Sequence, residues 1–235
     1  MNVAVIPARG GSKRIPRKNV RPFAGVPMIA HSIACAIRSG LFARVIVSTD
    51  DDEIAQVAEQ FGASVPFRRP SALSDDRTGT TPVIAHAIEW LRADHTLPSA
   101  VCCIYATAPF IQVDDLARGQ SLFETGRWRY VFAATSFGFP VQRSFRERAG
   151  HGLEMLFPEH AETRSQDLHE ALHDAGQFYW GTPDAWCANE PMFGERSTIV
   201  RIPRWRVQDI DTPEDWTRAE LLSRMLSREP DLGRS

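Results

Sequence analysis

The sequence predicts an α/β protein with a mainly parallel sheet flanked by helices on both faces. Two observations predict it. Short apolar, often β-branched runs alternate with helical patterns along most of the chain, in the order strand, helix, strand, helix. The first run, Val3-Ala4-Val5-Ile6, is apolar throughout, which marks a buried strand rather than a half-exposed one.

The elements follow in order. Residues 2–7 read as a strand. Residues 27–39 read as a helix, with Pro27 in its first turn and Gly40 just past its end. Val45-Ile46-Val47-Ser48-Thr49 is a β-branched strand. Asp50-Asp51-Asp52-Glu53 caps a helix that runs to about Phe61 and stops at Gly62. Residues 80–94 form a helix, Ala100 to Tyr105 a strand, Val113 to Glu124 a helix and Tyr130 to Thr135 a strand. Residues 137–170, rich in Phe, Arg, His and Pro, break the rhythm. A structureless loop of that length is unusual in a compact domain, so an inserted hairpin or arm is expected, one suited to dimerisation. The strand Gln177–Trp180, a short helix near Pro183–Cys187 and a strand over Thr198–Ile202 come next. The last helix starts at Thr212-Pro213-Glu214-Asp215, where Thr212 and Asp215 form a variant of the capping box. Arg228 to Ser235 are polar and read as a frayed end. The whole chain, 1–235, is expected to be one domain carrying the 137–170 insertion.

The bulk composition excludes several classes. The 235 residues are 43% hydrophobic and 24% charged, ordinary for a globular protein, with a net charge of −2. That balance gives no general attraction to nucleic acid or to an anionic membrane. No run is long and apolar enough to span a bilayer, and a cytoplasmic protein is expected. The four cysteines show no C-x-x-C spacing. Cys102 and Cys103 are adjacent in a strand and so point to opposite faces, which suits buried free thiols.

Chemistry is concentrated in the loop after the first strand, Pro7-Ala8-Arg9-Gly10-Gly11-Ser12-Lys13-Arg14-Ile15-Pro16-Arg17-Lys18-Asn19. Its five cations serve no apolar core. Its glycines allow a tight turn with exposed N–H groups, as a polyphosphate site requires. Neither a G-x-x-x-x-G-K-[ST] nor a G-x-G-x-x-G pattern is present. In Gln208-Asp209-Ile210-Asp211-Thr212, an extended backbone puts Asp209 and Asp211 on one side. Two neighbouring carboxylates favour a hard cation such as Mg²⁺; helix capping by Asp211 is the alternative. Arg68-Arg69-Pro70-x-x-Leu73-x-x-Asp76 leads into Thr78-Gly79-Thr80-Thr81, a stretch suited either to reading a base edge or to capping the next helix.

The string Ala8-Arg9-x-x-Ser12-Lys13-x-x-Pro16-x-Lys18-Asn19 resembles the signature of the cytidylyltransferases that activate sialic-acid-type sugars. The resemblance extends over roughly residues 2–225. It implies a Rossmann-like, glycosyltransferase-A-like nucleotidyltransferase fold. It also implies an enzyme that joins CTP to a nine-carbon sugar acid with a divalent cation, Mg²⁺, and works as a homodimer. By the same resemblance Ala8, Arg9, Ser12, Lys13, Lys18, Asn19, Arg69, Thr78 and Thr80 bind the nucleotide. Asp209 and Asp211 hold the metal, and Arg9, Lys18 and Asp211 are catalytic. Tyr105 and Thr107 stand where sialic-acid relatives read Gln-Pro-Thr-Ser-Pro. Asp174-Ala175-Gly176-Gln177-Phe178-Tyr179-Trp180 looks like the form found in the subgroup that activates pseudaminic acid. Tyr105, Thr107, Gln177 and Tyr179, with Arg143 and Arg164 from the inserted arm, are therefore expected to bind the sugar. Other keto-deoxy sugar acids, or a catalytically inactive nucleotide-binding regulator, remain as alternatives.

Overall fold

The computed structural model describes residues 1–228. β1 (Asn2–Pro7) leads into the basic loop, which is followed by a small antiparallel ribbon of β2 (Pro22–Phe23) and β3 (Val26–Pro27). α1 (Met28–Ser39) ends at Gly40, whose φ of 65° closes the helix in the left-handed conformation. β4 (Arg44–Ser48) and α2 (Asp52–Gln60) come next, and Asp51 caps α2 by accepting from the Ile54 N–H at 2.9 Å. α3 (Thr80–Ala93), β5 (Ala100–Ile104), α4 (Val113–Glu124) and β6 (Tyr130–Ser136) continue the alternation. The insertion carries the hairpin of β7 (Phe145–Arg148) and β8 (Gly152–Met155). β9 (Leu172–Gly181), α5 (Pro183–Cys187), β10 (Ser197–Arg201) and α6 (Pro213–Arg228) complete the described chain. Beyond Arg228, the expected frayed end lies outside the described residues.

The sheet runs β10-β6-β9-β5-β1-β4. All its pairings are parallel except those of β9, which is antiparallel to β5 and β6. The reason is the insertion. It leaves from the carboxyl end of β6 and returns from that same end, and a strand that returns so must run antiparallel. The consequence is functional. The start of β9, from His173 to Gly176, lies among the carboxyl ends of the parallel strands, where open α/β sheets bind ligands. The β6–β9 register breaks between Phe132 and Ala134, and Gly176 there takes a φ of 60°.

Two apolar layers cover the sheet. Ile29 and Ile33 of α1, Ile54 of α2 and Leu116 of α4 pack on one face with Ala4, Ile6, Cys102 and Trp180. Ile84 and Ile88 of α3 and Trp186 of α5 pack on the other with Val3, Val5, Cys103 and Tyr179. Cys102 and Cys103 thus face opposite layers, as strand alternation requires, and all four cysteines are free. A third cluster lies at the edge of the site: Ile15 of the basic loop, Phe23, Met28, Phe110, Ile210, and Trp216 with Ala219 of α6. Phe23 is its hub, edge-on to Trp216 at 5.6 Å and to Phe110 at 6.1 Å. Among the described residues no helix is long and apolar enough to cross a membrane.

One buried ion pair anchors the chain just before the Asp209–Asp211 segment. Arg206 Nη1 lies 2.5 Å from Asp115 Oδ2, and both side chains are at most 2% exposed. The Arg206 carbonyl in turn accepts from Gln177 Nε2 at 2.7 Å, tying this segment to β9. Removing one partner leaves the other charge buried without its counter-ion. Asp115→Ala is therefore expected to cost about 3–5 kcal/mol of stability in urea unfolding; a loss below about 1 kcal/mol would contradict the anchoring role.

Candidate active site

The basic loop occupies residues 8–19 at the carboxyl end of β1. Its shape is set by backbone and carboxylate contacts. The Ala8 N–H donates to the Ser48 carbonyl at 2.9 Å, which holds the loop's first residue to β4. The Gly10 N–H donates to Asp50 Oδ1 at 3.0 Å. A Cβ at Gly10 would stand 2.6 Å from Asp51 Oδ2, so this close approach requires glycine. Asn19 Nδ2 donates to the Arg9 carbonyl at 2.9 Å and pins the loop's two ends together. Arg17, at a φ of 56°, turns away from the site and pairs with Asp51 at 2.6 Å and with Glu53, at the start of α2. The Arg17 hydrogen bond holds the Asp51 carboxyl below the usual carboxylate range.

Arg9, Ser12 to Ile15, Lys18 and Asn19 of the loop line a cavity of about 360 Å³, whereas Ala8, expected to meet the nucleotide, is buried and does not. Arg9, Ser12, Lys13, Lys18, Asn19, Arg69, Thr78, Thr80, Tyr105, Thr107 and Asp211 all line it. Five cations, Arg9, Lys13, Arg14, Lys18 and Arg69, face two carboxylates, Asp76 and Asp211. Such an excess suits a polyanion. Asp76 pairs with Arg9 at 2.9 Å and with Lys13, and the Lys13 bond holds its carboxyl below the usual range. Arg9 Nη1 also donates to the Asp75 carbonyl at 2.5 Å. Lys18 Nζ donates to the Ile210 carbonyl at 2.5 Å and lies 3.2 Å from Asp211 Oδ1, while Arg14 Nη2 reaches Asp211 Oδ2 at 2.7 Å.

Arg69 differs from the other cations. Its side chain is 4% exposed, and its nearest charge is Asp50 at the long distance of 3.9 Å. Its Nε and Nη2 are buried without a hydrogen-bond partner. Burial lowers its pKa, against the favourable charge of Asp50. A desolvated guanidinium with unused donors on a cavity wall is prepared to meet acceptor atoms of a ligand.

A second cavity, of about 640 Å³, adjoins the first across Tyr105, which lines both. Thr135 and Ser136 of β6, His173 to Gly176 of β9, Arg204, Asp209 and Arg218 line it. The Asp209 carboxyl is pushed up, first by desolvation and then by the charge of Asp211. Asp209 and Asp211 thus face two adjoining cavities, with Ile210 buried between them.

Neither Asp211 nor a threonine side chain of residues 78–81 caps the helix that follows it. Thr212 and Asp215 cap α6 reciprocally: the Thr212 N–H donates to Asp215 Oδ2 at 2.8 Å, and the Asp215 N–H donates to Thr212 Oγ1 at 3.2 Å. The Asp211 carboxylate meets Arg14 and Lys18 instead. Gly79 occupies the cap position of α3 with no side-chain bond; Thr78 Oγ1 donates to Asp75 Oδ1 at 2.6 Å, and Thr80 Oγ1 lies 3.2 Å from the Tyr105 hydroxyl.

The remaining sugar-site candidates lie elsewhere. Gln177 and Tyr179 are buried in β9 and line neither cavity; Tyr179 instead packs behind Tyr105, ring centroids 5.2 Å apart. Arg143 donates to the Thr163 carbonyl at 2.6 Å within the insertion, Arg164 is exposed there, and neither lines either of these two cavities. Sequence reasoning missed Arg14 and Asp76 as site residues, and in the second cavity Asp174, Arg204 and Arg218. Arg14, Asp76 and Asp174 stand inside the strings that were singled out. Nothing local marks Arg204 or Arg218, which the fold alone brings to the site.

Comparison with known proteins agrees with this geometry. A family model described as cytidylyltransferase matches residues 3–177. A pseudaminic acid cytidylyltransferase of Campylobacter jejuni is 44% identical over 94% of this chain and 95% of its own. A CMP-N,N'-diacetyllegionaminic acid synthase of Legionella pneumophila is 30% identical over the same shares. Among solved structures, a CMP:2-keto-3-deoxy-manno-octonic acid synthetase complexed with CTP superposes with a TM-score of 0.68 at 18% identity, covering 95% of this chain and 98% of that one. The first-strand loop, the sheet behind it and these matches lead to one conclusion: the chain belongs to the cytidylyltransferase family.

Proposed function

We propose that this chain joins CTP to a nine-carbon 2-keto sugar acid, pseudaminic acid, forming the CMP-sugar and releasing pyrophosphate. The observation that carries the reading is the cavity wall of five cations against two carboxylates, beside a second cavity large enough for a sugar. The 44% identity to a pseudaminic acid cytidylyltransferase supports the choice of sugar.

In this reading the sugar's anomeric hydroxyl attacks the α-phosphorus. The new O–P bond forms as the bond to the β-phosphate breaks, and positioning and charge neutralisation account for the rate. Lys18, Arg9, Lys13 and Ser12 hold the triphosphate, whose oxygens take over from Asp76 as partners of Arg9 and Lys13. Arg69 offers its unused Nε–H and Nη2–H groups to the acceptor atoms of cytosine. Thr78 and Thr80 line the same wall.

The donor set fits Mg²⁺. Among the described residues no three His, Cys, Asp or Glu side chains are grouped to hold a metal by themselves. Mg²⁺ asks for less: one or two carboxylates, with phosphate oxygens and water completing its shell. Asp211 and Asp209 would supply the two; the Asp209 carboxyl is pushed up first by desolvation and then by the charge of Asp211, and a bound cation would offset the second. When bound, the ion would stabilise the charge that develops on the α-phosphate and the leaving pyrophosphate.

Pyrophosphate release in the presence of CTP, Mg²⁺ and a panel of sugar acids tests the reading. We expect kcat/KM for pseudaminic acid to exceed that for sialic acid, and Asp211→Asn to lose at least about a hundredfold in turnover at saturating Mg²⁺. Preference for sialic acid would overturn the choice of sugar, near-parental turnover of Asp211→Asn the metal role, and no CMP-sugar from any nine-carbon acid the whole reading.

The insertion is proposed to join two copies of the chain, bringing Arg143 or Arg164 toward the neighbour's sugar. Its exposed Phe139, Phe145 and Leu153, 60–86% accessible, support this. Light scattering should report a dimer, and an active monomer would refute it.

A further inference from the structure

Both oxygens of the Asp211 carboxylate are already engaged by cations. Arg14 Nη2 donates to Asp211 Oδ2 at 2.7 Å, and Lys18 Nζ donates to Asp211 Oδ1 at 3.2 Å. A guanidinium seated on Oδ2 opposes a divalent ion in two ways. It crowds an oxygen that the ion would ligate, and its charge repels the ion. Without nucleotide, an ion entering the first cavity meets an Asp211 whose charge is balanced from the loop.

The two cations are not equivalent. The Lys18 side chain is 17% exposed and also donates to the Ile210 carbonyl at 2.5 Å, so a second bond holds it in place. The Arg14 side chain is 64% exposed, and among the described residues its guanidinium bonds to Asp211 alone. An ion pair so open to water is weak and exchanges readily. Arg14 also lines the cavity assigned above to the triphosphate, together with Arg9, Lys13 and Lys18. Phosphate oxygens offer a guanidinium a forked, bidentate site, a better partner than the single carboxylate oxygen it now holds.

We propose that Arg14 blocks metal binding at Asp211 until a triphosphate draws the guanidinium away, so that the nucleotide completes its own metal site. The inference rests on the metal role proposed above for Asp211. Arg14 is a positioning residue here, since it acts on the ion through Asp211. The nucleotide does two things at once: its oxygens take over Arg14, and they add ligands that a hard cation needs beyond the carboxylates. The coupling is reciprocal, so metal and nucleotide raise each other's affinity by the same factor. Lys18, held by the Ile210 carbonyl, stays beside Asp211 throughout and keeps the loop next to it.

Mn²⁺ takes the same octahedral oxygen sites as Mg²⁺ and reports the site without turnover. Its binding is followed by water-proton relaxation, with no sugar present, for the free protein and for the protein saturated with CTP. Without CTP, Arg14→Gln should bind Mn²⁺ about tenfold more tightly than the parent, because one repelling charge is gone. Adding Asp211→Asn should abolish that gain. With CTP saturating, parent and Arg14→Gln should agree within about threefold, since the triphosphate has already removed the guanidinium. Arg14 is exposed, so the melting temperature of Arg14→Gln should match the parent's. A residue that only binds phosphate would weaken CTP and leave CTP-free Mn²⁺ binding unchanged. Equal Mn²⁺ affinity of the two CTP-free proteins therefore overturns the block alone, as does a gain that survives Asp211→Asn. If Asp211→Asn, saturated with CTP, binds Mn²⁺ as the parent does, the metal role of Asp211 falls and the block with it.

Discussion

The site depends on the shared burial of Ile15 and Ile210, which come from opposite ends of the chain. Both sit in one apolar cluster, at 2% and 0% exposure, against Phe23, Phe110 and Trp216. Ile15 lies among the loop cations and Ile210 between two aspartates. Both isoleucines sink into this cluster, while Lys13, Arg14, Lys18 and Asp211 line the first cavity. The shared burial of the isoleucines holds the loop that carries Lys13, Arg14 and Lys18 beside the segment that carries Asp211. Neither segment could bring that about alone, because a loop of like charges gains nothing from collapsing on itself. The apolar plug supplies the attraction, and the opposite charges set the register.

Around this plug the cations divide by task. Arg17 faces the start of α2 and secures the loop, through contacts with Asp51 and Glu53 that point away from the cavity. Arg9, Lys13, Arg14 and Lys18 stay on the cavity wall, paired with Asp76 and Asp211. Those pairs are half-exposed and individually weak, which suits partners that a polyphosphate exchanges. Arg69 is the exception. It is held out of water with two unused donor atoms, a costly arrangement that a ligand's acceptors would satisfy. The insertion makes its own contribution, because its return to the same end of the sheet sets β9 antiparallel and delivers Asp174 to the second cavity.

Much of this was legible in the sequence because local rules decide it. The apolar runs, the helix-ending Gly40 and the Thr212–Asp215 box all fell where hydrophobic period and capping chemistry place them. The basic loop was legible for a related reason: clustered cations with no core role have few other uses. What was not legible depends on the fold at long range. Gln177 and Tyr179 read as ligand contacts, yet the break in the β6–β9 register and the turn at Gly176 accompany their burial. Arg204 and Arg218 carry no local mark, and only the docking of α6 and the segment before it brings them to Asp209. Ile210 stands between two aspartates, and only the fold reveals that it is buried in the cluster beside the site.

The most direct test of this dependence compares two buried truncations by CTP titration calorimetry. Ile210→Ala removes a side chain from the plug. Leu91→Ala removes one of similar size from the last turn of α3, which is fully buried but lines neither cavity. Both should cost about 2–5 kcal/mol of stability. The account predicts that Ile210→Ala also weakens CTP binding by roughly tenfold or more, about 1.4 kcal/mol, while folded Leu91→Ala binds as the parent does. Equal CTP affinity in the two variants would contradict the claim that the plug assembles the site.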